Sequence, residues 1–190
     1  MTHLRRLVRA PGTYFVTSNT WERRALFMKE PPARVFLECL LRYRQEGHYL
    51  LHEFVLMPDH FHLLLTPAPN TALERALQYV KGGSSHAIKK NLLYRFPIWQ
   101  TGFDDHRIRD AQDYQHHKKY ILQNPVEAGL VEDAKDYAYC SAWTDFLEIL
   151  DPWPPSAAEA AALGGSVDGR AEARPRQSVR NSNRILTLKT

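Results

Sequence analysis

Four residues of this chain have the types and spacing of a reacting centre. His60 and His62 flank Phe61 inside the run Phe54-Val55-Leu56-Met57-Pro58-Asp59-His60-Phe61-His62-Leu63-Leu64-Leu65. A strand turns successive side chains to opposite faces, so the two histidines project together while Phe61 points away into apolar packing. Two imidazoles on one rigid face make half of a divalent-metal site. Further along lies Lys118-Lys119-Tyr120-Ile121-Leu122-Gln123-Asn124-Pro125. On a helix, Tyr120 and Asn124 share a face because they are four apart. Asn124 offers a carbonyl oxygen, which suits a hard cation. Tyr120 offers a phenol, whose ordinary pKa of about 10 leaves it a poor nucleophile until something stabilises or accepts its proton.

These residues need elements to position them. The β-branched and aromatic stretch 14–20, preceded by Pro11-Gly12, predicts a first strand. Pro31 and Pro32 open a helix running through Arg34, Val35, Leu37, Glu38, Leu40, Leu41 and Tyr43, and Gly47 stops it. Strands are expected over 49–57 and 60–66, joined by the Pro58-Asp59 turn as an antiparallel hairpin. Asn70 or Thr71 caps a helix carrying Leu73, Leu77, Val80 and Ile88, with a bend at Gly82-Gly83-Ser84-Ser85. Residues 96–109 fit a strand pair or an extended loop. Residues 110–124 read as a helix that Pro125 limits, followed by a turn into a short apolar segment at Ala128-Gly129-Leu130-Val131.

Composition narrows the function. The chain has 190 residues and a formal charge of +4, enough for one core-bearing domain over 1–150, with mild basicity compatible with an anionic partner. No apolar run reaches the length of a membrane span. The two cysteines, Cys39 and Cys140, lie far apart with no metal-ligand spacing, and a reduced, cytoplasmic protein is expected. The start of the chain is basic without a signal-type apolar stretch. From Asp151 the composition shifts to Pro, Ala, Gly and Arg, and residues 151–190 read as a flexible basic tail that includes Arg170, Arg174, Arg176, Arg180, Arg184 and Lys189.

The His60-Phe61-His62 segment and the run Tyr120-Ile121-Leu122-Gln123-Asn124-Pro125-Val126-Glu127-Ala128-Gly129-Leu130-Val131 together resemble the REP-associated tyrosine transposases, single-tyrosine HUH enzymes of the IS200-like family. Tyr14-Phe15-Val16-Thr17, the stretch from Trp99 to Arg109, and Tyr139-Cys140-Ser141-Ala142 carry further likeness. The resemblance covers about residues 10 to 147. It implies an α/β (α+β) fold: a ferredoxin-like antiparallel sheet with helices packed on one face, histidines on the sheet, and the tyrosine on a helix crossing nearby. It also implies cleavage and rejoining of single-stranded DNA at hairpin or palindromic repeats. Two positions depart from the family pattern. Many relatives carry glutamine four residues after the tyrosine, where this chain has Asn124; Gln123 is the fallback ligand. The arginine common after Asn-Pro-Val is Glu127 here, which removes a positive charge.

The mechanism this implies is phosphoryl transfer through a 5′-phosphotyrosine on Tyr120, with His60, His62 and Asn124 holding Mg²⁺ or Mn²⁺. Lys81, Lys89, Lys90, Arg95, Arg107 and Arg109 are candidate phosphate contacts, and Tyr79, Tyr94, Phe96 and Trp99 candidate base-stacking rings. His106 is an accessory candidate as proton carrier or DNA contact, and His116 and His117 could tune the phenol. Three rivals stand beside this reading: a rolling-circle initiator or relaxase with the same residues, a silent hairpin-DNA-binding regulator, and a zinc hydrolase. The active protein is expected as a monomer or a homodimer.

Overall fold

The computed structural model describes residues 12–154. The basic start of the chain, and the tail from residue 155 with its arginines, lie outside them.

Four strands form one antiparallel sheet: β1 (Tyr14–Asn19), β2 (Tyr49–Leu56), β3 (His60–Pro67) and β4 (Asp104–Arg107). Their order across the sheet is β2-β3-β1-β4. The two central strands are therefore the ends of separate crossovers, which is the ferredoxin-like arrangement. Helix α1 (Glu30–Gln45) makes the first crossover. The second runs through α2 (Leu73–Leu77), a π turn (Gln78–Gly82) and α3 (Gly83–Leu92). Helix α4 (Ala111–Glu127) follows β4.

Strand alternation sorts the side chains into two cores. Val16, Phe61, Leu63 and Leu65 face α1, α2 and α3, together with Phe36, Leu40, Leu77, Val80 and Ile88. The other face is covered by α4, where Val55, Met57, Leu64, Ile108, Tyr114 and Ile121 cluster. The crossover helices thus share one face, as the family likeness implied, and α4 adds a second layer on the reverse. That layer brings Tyr120 to the face bearing His60 and His62.

Strand β2 is buried throughout its eight residues. Its register against β3 slips between Leu51 and Glu53. Tyr49 and Leu51 enter the α1 core before the slip, and Phe54 and Leu56 enter it after. A bulge at His52 therefore reverses the alternation, leaving Glu53 on the α4 face opposite Leu64. The outer edge of β2 is covered by the chain after α4: Leu56 N donates to Tyr139 O and Ser141 N to Phe54 O, both at 2.9 Å.

Two local expectations are corrected. Helix α4 does not stop before Pro125 but runs through it to Glu127. Proline removes the bond its own N–H would make and crowds the Ile121 carbonyl, and here both effects fall at the end of the helix. Residues 96–109 hold one strand, β4, with a single bridge from Trp99 to Thr20 ahead of it. At Gly82-Gly83, where a bend is expected, a π turn runs into α3, and a Cβ at Gly83 would collide with the Tyr43 ring. Glycine at 83 is there to let α1 and α3 approach.

Candidate active site

The site forms where β3, β1 and α4 meet. Thr17 of β1 stands opposite His62, and Asn19 opposite His60. The two imidazoles are 4.8 Å apart, centroid to centroid. His60 Nδ1 lies 2.6 Å from Asp59 Oδ1. That carboxylate holds the proton on Nδ1 and leaves Nε2 as the lone-pair donor, the usual support of a metal-bound histidine. His62 Nδ1 lies 2.7 Å from Thr17 Oγ1, while its Nε2 is buried with no hydrogen-bond partner among the described residues. Leaving such a nitrogen unpaired costs about 1–3 kcal/mol, and a divalent cation is the partner its chemistry fits. Burial, then the neighbouring His60 and Arg23, push the His62 imidazole down to about 3. It is neutral throughout the physiological range, which is the form that ligates.

Tyr120 approaches from α4. Its ring stands edge-on to His62, with centroids 5.1 Å apart. Phe15 organises both: it stacks on His62 at 5.3 Å and meets Tyr120 edge-on at 5.8 Å. Ile121 and Pro125 anchor the helix to the sheet and Tyr120 stays exposed. At about 100° per residue, Asn124 falls between Tyr120 and the buried stripe, whereas Gln123 points away from it. Asn124 is half-buried and Gln123 exposed. Of the two candidate amides, Asn124 is the better placed.

Two polar contacts fix α4. Lys118 pairs with Glu53, which is 4% exposed and also accepts from Ser141 Oγ at 2.7 Å. Towards β4, His106 Nε2 lies 2.8 Å from Asp113 Oδ2, and His117 Nδ1 lies 3.2 Å from Asp113 Oδ1. Burial raises the Asp113 carboxyl, but hydrogen bonds from His106 and from the Arg109 backbone and side chain outweigh it and hold the group well below the usual carboxylate range. His106, Asp113 and His117 have the donor types of a metal site. Their rings are nearly parallel, 19° between planes and 4.8 Å apart. In-plane lone pairs on parallel rings do not converge readily on one ion; His106 bonds the Asp113 carboxylate, whereas His117 Nδ1 lies nearest the Asp113 backbone oxygen, at 2.8 Å. His116 is exposed beside it.

The candidate DNA contacts are scattered. Lys81 Nζ donates to Gln100 O at 2.9 Å and also to Gly102 O, and burial brings its ammonium down to about 8. It braces the loop before β4. Lys89, Lys90 and Arg95 are exposed around the end of α3. Arg107 lies against Gly12, and Arg109 Nε pairs with Asp113 at 3.2 Å. Among the aromatic candidates, Trp99 belongs to the core: it packs on Phe27, Phe36 and Phe61 and donates from Nε1 to Ser84 Oγ. Tyr79 stacks on His48 at 3.8 Å.

The residues supporting the site were not evident from the sequence. Asp59 was in view, but only as a turn residue, although its position immediately before His60 was a usable signal. Thr17, Phe15 and Glu53 reach the site through strand register, which is set by tertiary pairing.

Comparison with known proteins adds an independent line. A family profile described as "Transposase IS200 like" matches residues 13–124, a span that ends at Asn124. The chain is 28% identical over 154 residues to the REP-associated tyrosine transposase of Escherichia coli (strain K12), covering 80% of this chain and 89% of that protein. It is 30% identical over 165 residues to a Haemophilus influenzae protein provisionally given the same description, covering 80% and 92% respectively. Among solved structures, a REP-associated tyrosine transposase bound to a REP hairpin superposes with a TM-score of 0.63 at 26% identity, covering 80% of this chain and 89% of that one.

Proposed function

The chain belongs to the IS200-like transposase family, and from that premise we propose that it cuts and rejoins single-stranded DNA at hairpin or palindromic repeats through a phosphotyrosine on Tyr120. The observation that carries this reading is the approach of the Tyr120 ring to His62 within one chain, beside a buried Nε2 with no partner among the described residues.

In the proposed reaction the Tyr120 oxygen attacks the scissile phosphorus. Its proton passes to solvent, a 5′-phosphotyrosine bond forms, and the bond to the 3′ oxygen breaks, that oxygen taking a proton from solvent to leave as a 3′-hydroxyl. One phosphoester replaces another, and a second 3′-hydroxyl can reverse the step and join strands. Phe15 keeps the phenol and His62 in register, and Ile121 and Pro125 hold the helix while the phenol reaches solvent and DNA. His60, His62 and Asn124 are the residues that would hold Mg²⁺ or Mn²⁺. When bound, that ion polarises the phosphate and offsets charge growing on its oxygens. Lys89, Lys90 and Arg95 would take phosphates of the flanking strand. The hairpin-bound relative supports hairpin DNA as the substrate class.

The test incubates the full-length protein with single-stranded repeat hairpins and Mn²⁺ or Mg²⁺, followed by denaturing electrophoresis and mass mapping. A DNA-linked peptide containing Tyr120 is expected, absent from Tyr120→Phe protein that still binds the hairpin. An adduct on another residue would overturn the assignment. Cleavage without an adduct would identify a hydrolase, and binding without cleavage a regulator.

A further inference from the structure

The segment between β1 and α1 makes an unusual turn beside the histidines. Glu22 (φ 55°) and Arg23 (φ 53°) are consecutive non-glycine residues in the left-handed region. L side chains adopt that conformation reluctantly, and it persists where surrounding contacts over-determine it, often at functional sites. Here those contacts are visible. Thr20 N donates to Asp59 O at 2.8 Å, Thr20 Oγ1 lies 2.8 Å from Arg24 O and 3.0 Å from Asp59 O, and Phe27 N donates to Pro58 O at 2.9 Å. The turn is thereby tied to the Pro58-Asp59 corner that precedes His60.

The strained backbone aims one side chain. Arg23 Nε lies 3.0 Å from Asp59 Oδ2, the carboxylate whose other oxygen holds His60. Arg23 Nη1 bonds to Asn19 Oδ1, and Asn19 faces His60 across the strand pair. The Arg23 side chain is nonetheless 54% exposed. An arginine seeking only to neutralise Asp59 would need neither the strained turn nor the exposure. Two contacts orient the planar head, and its other N–H donors have no hydrogen-bond partner among the described residues.

We propose that Arg23 is a substrate-binding residue, gripping the non-bridging oxygens of one backbone phosphate next to the scissile one. The proposal deepens the strand-transfer reading and rests on it for the identity of the substrate. Guanidinium suits the task because its planar donor fork matches two oxygens of a phosphate at once.

The experiment uses full-length Tyr120→Phe protein, so that binding is measured without cleavage and the result does not depend on which residue is the nucleophile. Hairpin oligonucleotides carrying one neutral methylphosphonate at a time are titrated against it, with and without Arg23→Gln and Arg23→Lys. One phosphate position is expected where neutralisation weakens binding by roughly three- to tenfold with Arg23 present and not at all in Arg23→Gln, while the slope of log affinity against log salt falls in magnitude by about one. Arg23→Lys should recover the slope, because it retains the charge. Mn²⁺ affinity and melting temperature, measured alongside, should change little in Arg23→Gln. If Arg23→Gln leaves the salt slope unchanged and scales every substituted oligonucleotide by the same factor, the proposal is overturned. Weaker Mn²⁺ binding in that case would assign Arg23 a role in holding Asp59 alone.

Discussion

The Tyr120 ring stands edge-on to the His62 imidazole of its own chain, at 5.1 Å and with 72° between the planes. In the proposed reaction one chain supplies both the phenol and the histidines. Mixing Tyr120→Phe protein with His62→Ala protein is therefore expected to leave adduct formation at the background of either variant alone. Recovered activity in the mixture would assign the nucleophile to a partner subunit.

His62 also predicts how the metal-free protein responds to acid. Its imidazole titrates near 3 when folded and near 6.5 when unfolded, chiefly because burial disfavours the cation. As the pH falls below 6.5 the unfolded chain takes up the proton first, so stability is complete above 6.5 and declines towards 3. Between pH 6.5 and 5 the loss from this group is about 2 kcal/mol. Burial lowers His52 too, which adds a decline of the same sign. The comparison that isolates His62 is urea denaturation of chelator-treated wild type against His62→Gln. The variant should show the shallower pH dependence, and parallel curves would refute the assignment.

Asp59 fixes the ring of His60, and its loss should reach any ion held there. Replacing such an outer partner commonly costs about 10- to 100-fold in metal affinity. Asp59→Ala is expected to weaken Mn²⁺ binding by that order, measured by the free-Mn²⁺ signal in electron paramagnetic resonance. Unchanged affinity would remove His60 from the ligand set.

The Lys118–Glu53 pair fastens α4 to the sheet. Lys118→Met strands a buried carboxylate, with Ser141 its remaining hydrogen-bond partner. Because Lys118 is 39% exposed, solvent shares the load and a loss of about 2 kcal/mol is expected, short of the penalty for a fully enclosed pair. Adding Glu53→Gln should restore much of it. Equal instability of the single and double variants in urea melts would show that the charge is not the cause.

The His60-Phe61-His62 alternation was legible because β3 is regular, with one face on the α1 core and the other under α4. The first helix was equally clear, from its proline entry to Gly47, which has φ +80°. Strand β2 hid its facing, since both sides are covered and the bulge at His52 reverses the period midway. Trp99 looked available for stacking because composition cannot distinguish a core indole from an exposed one. The Gly82-Gly83 pair signals a bend but not its cause, because the reason for glycine at 83, the Tyr43 ring, lies on another helix. Arg23 escaped notice entirely: its meaning depends on a corner of the chain 36 residues away in sequence, at Asp59.

The sheet separates two kinds of consequence. Substitutions among Phe36, Leu40, Phe61 and Ile88 fall on the side away from the histidines, and should alter how firmly the protein holds together while leaving its chemistry in place. Substitutions under α4 disturb both at once, because the packing that seats Ile121 also seats the residue before it. An apolar core substitution is thus expected to report on stability alone from one side of the sheet, and on stability and the proposed chemistry together from the other.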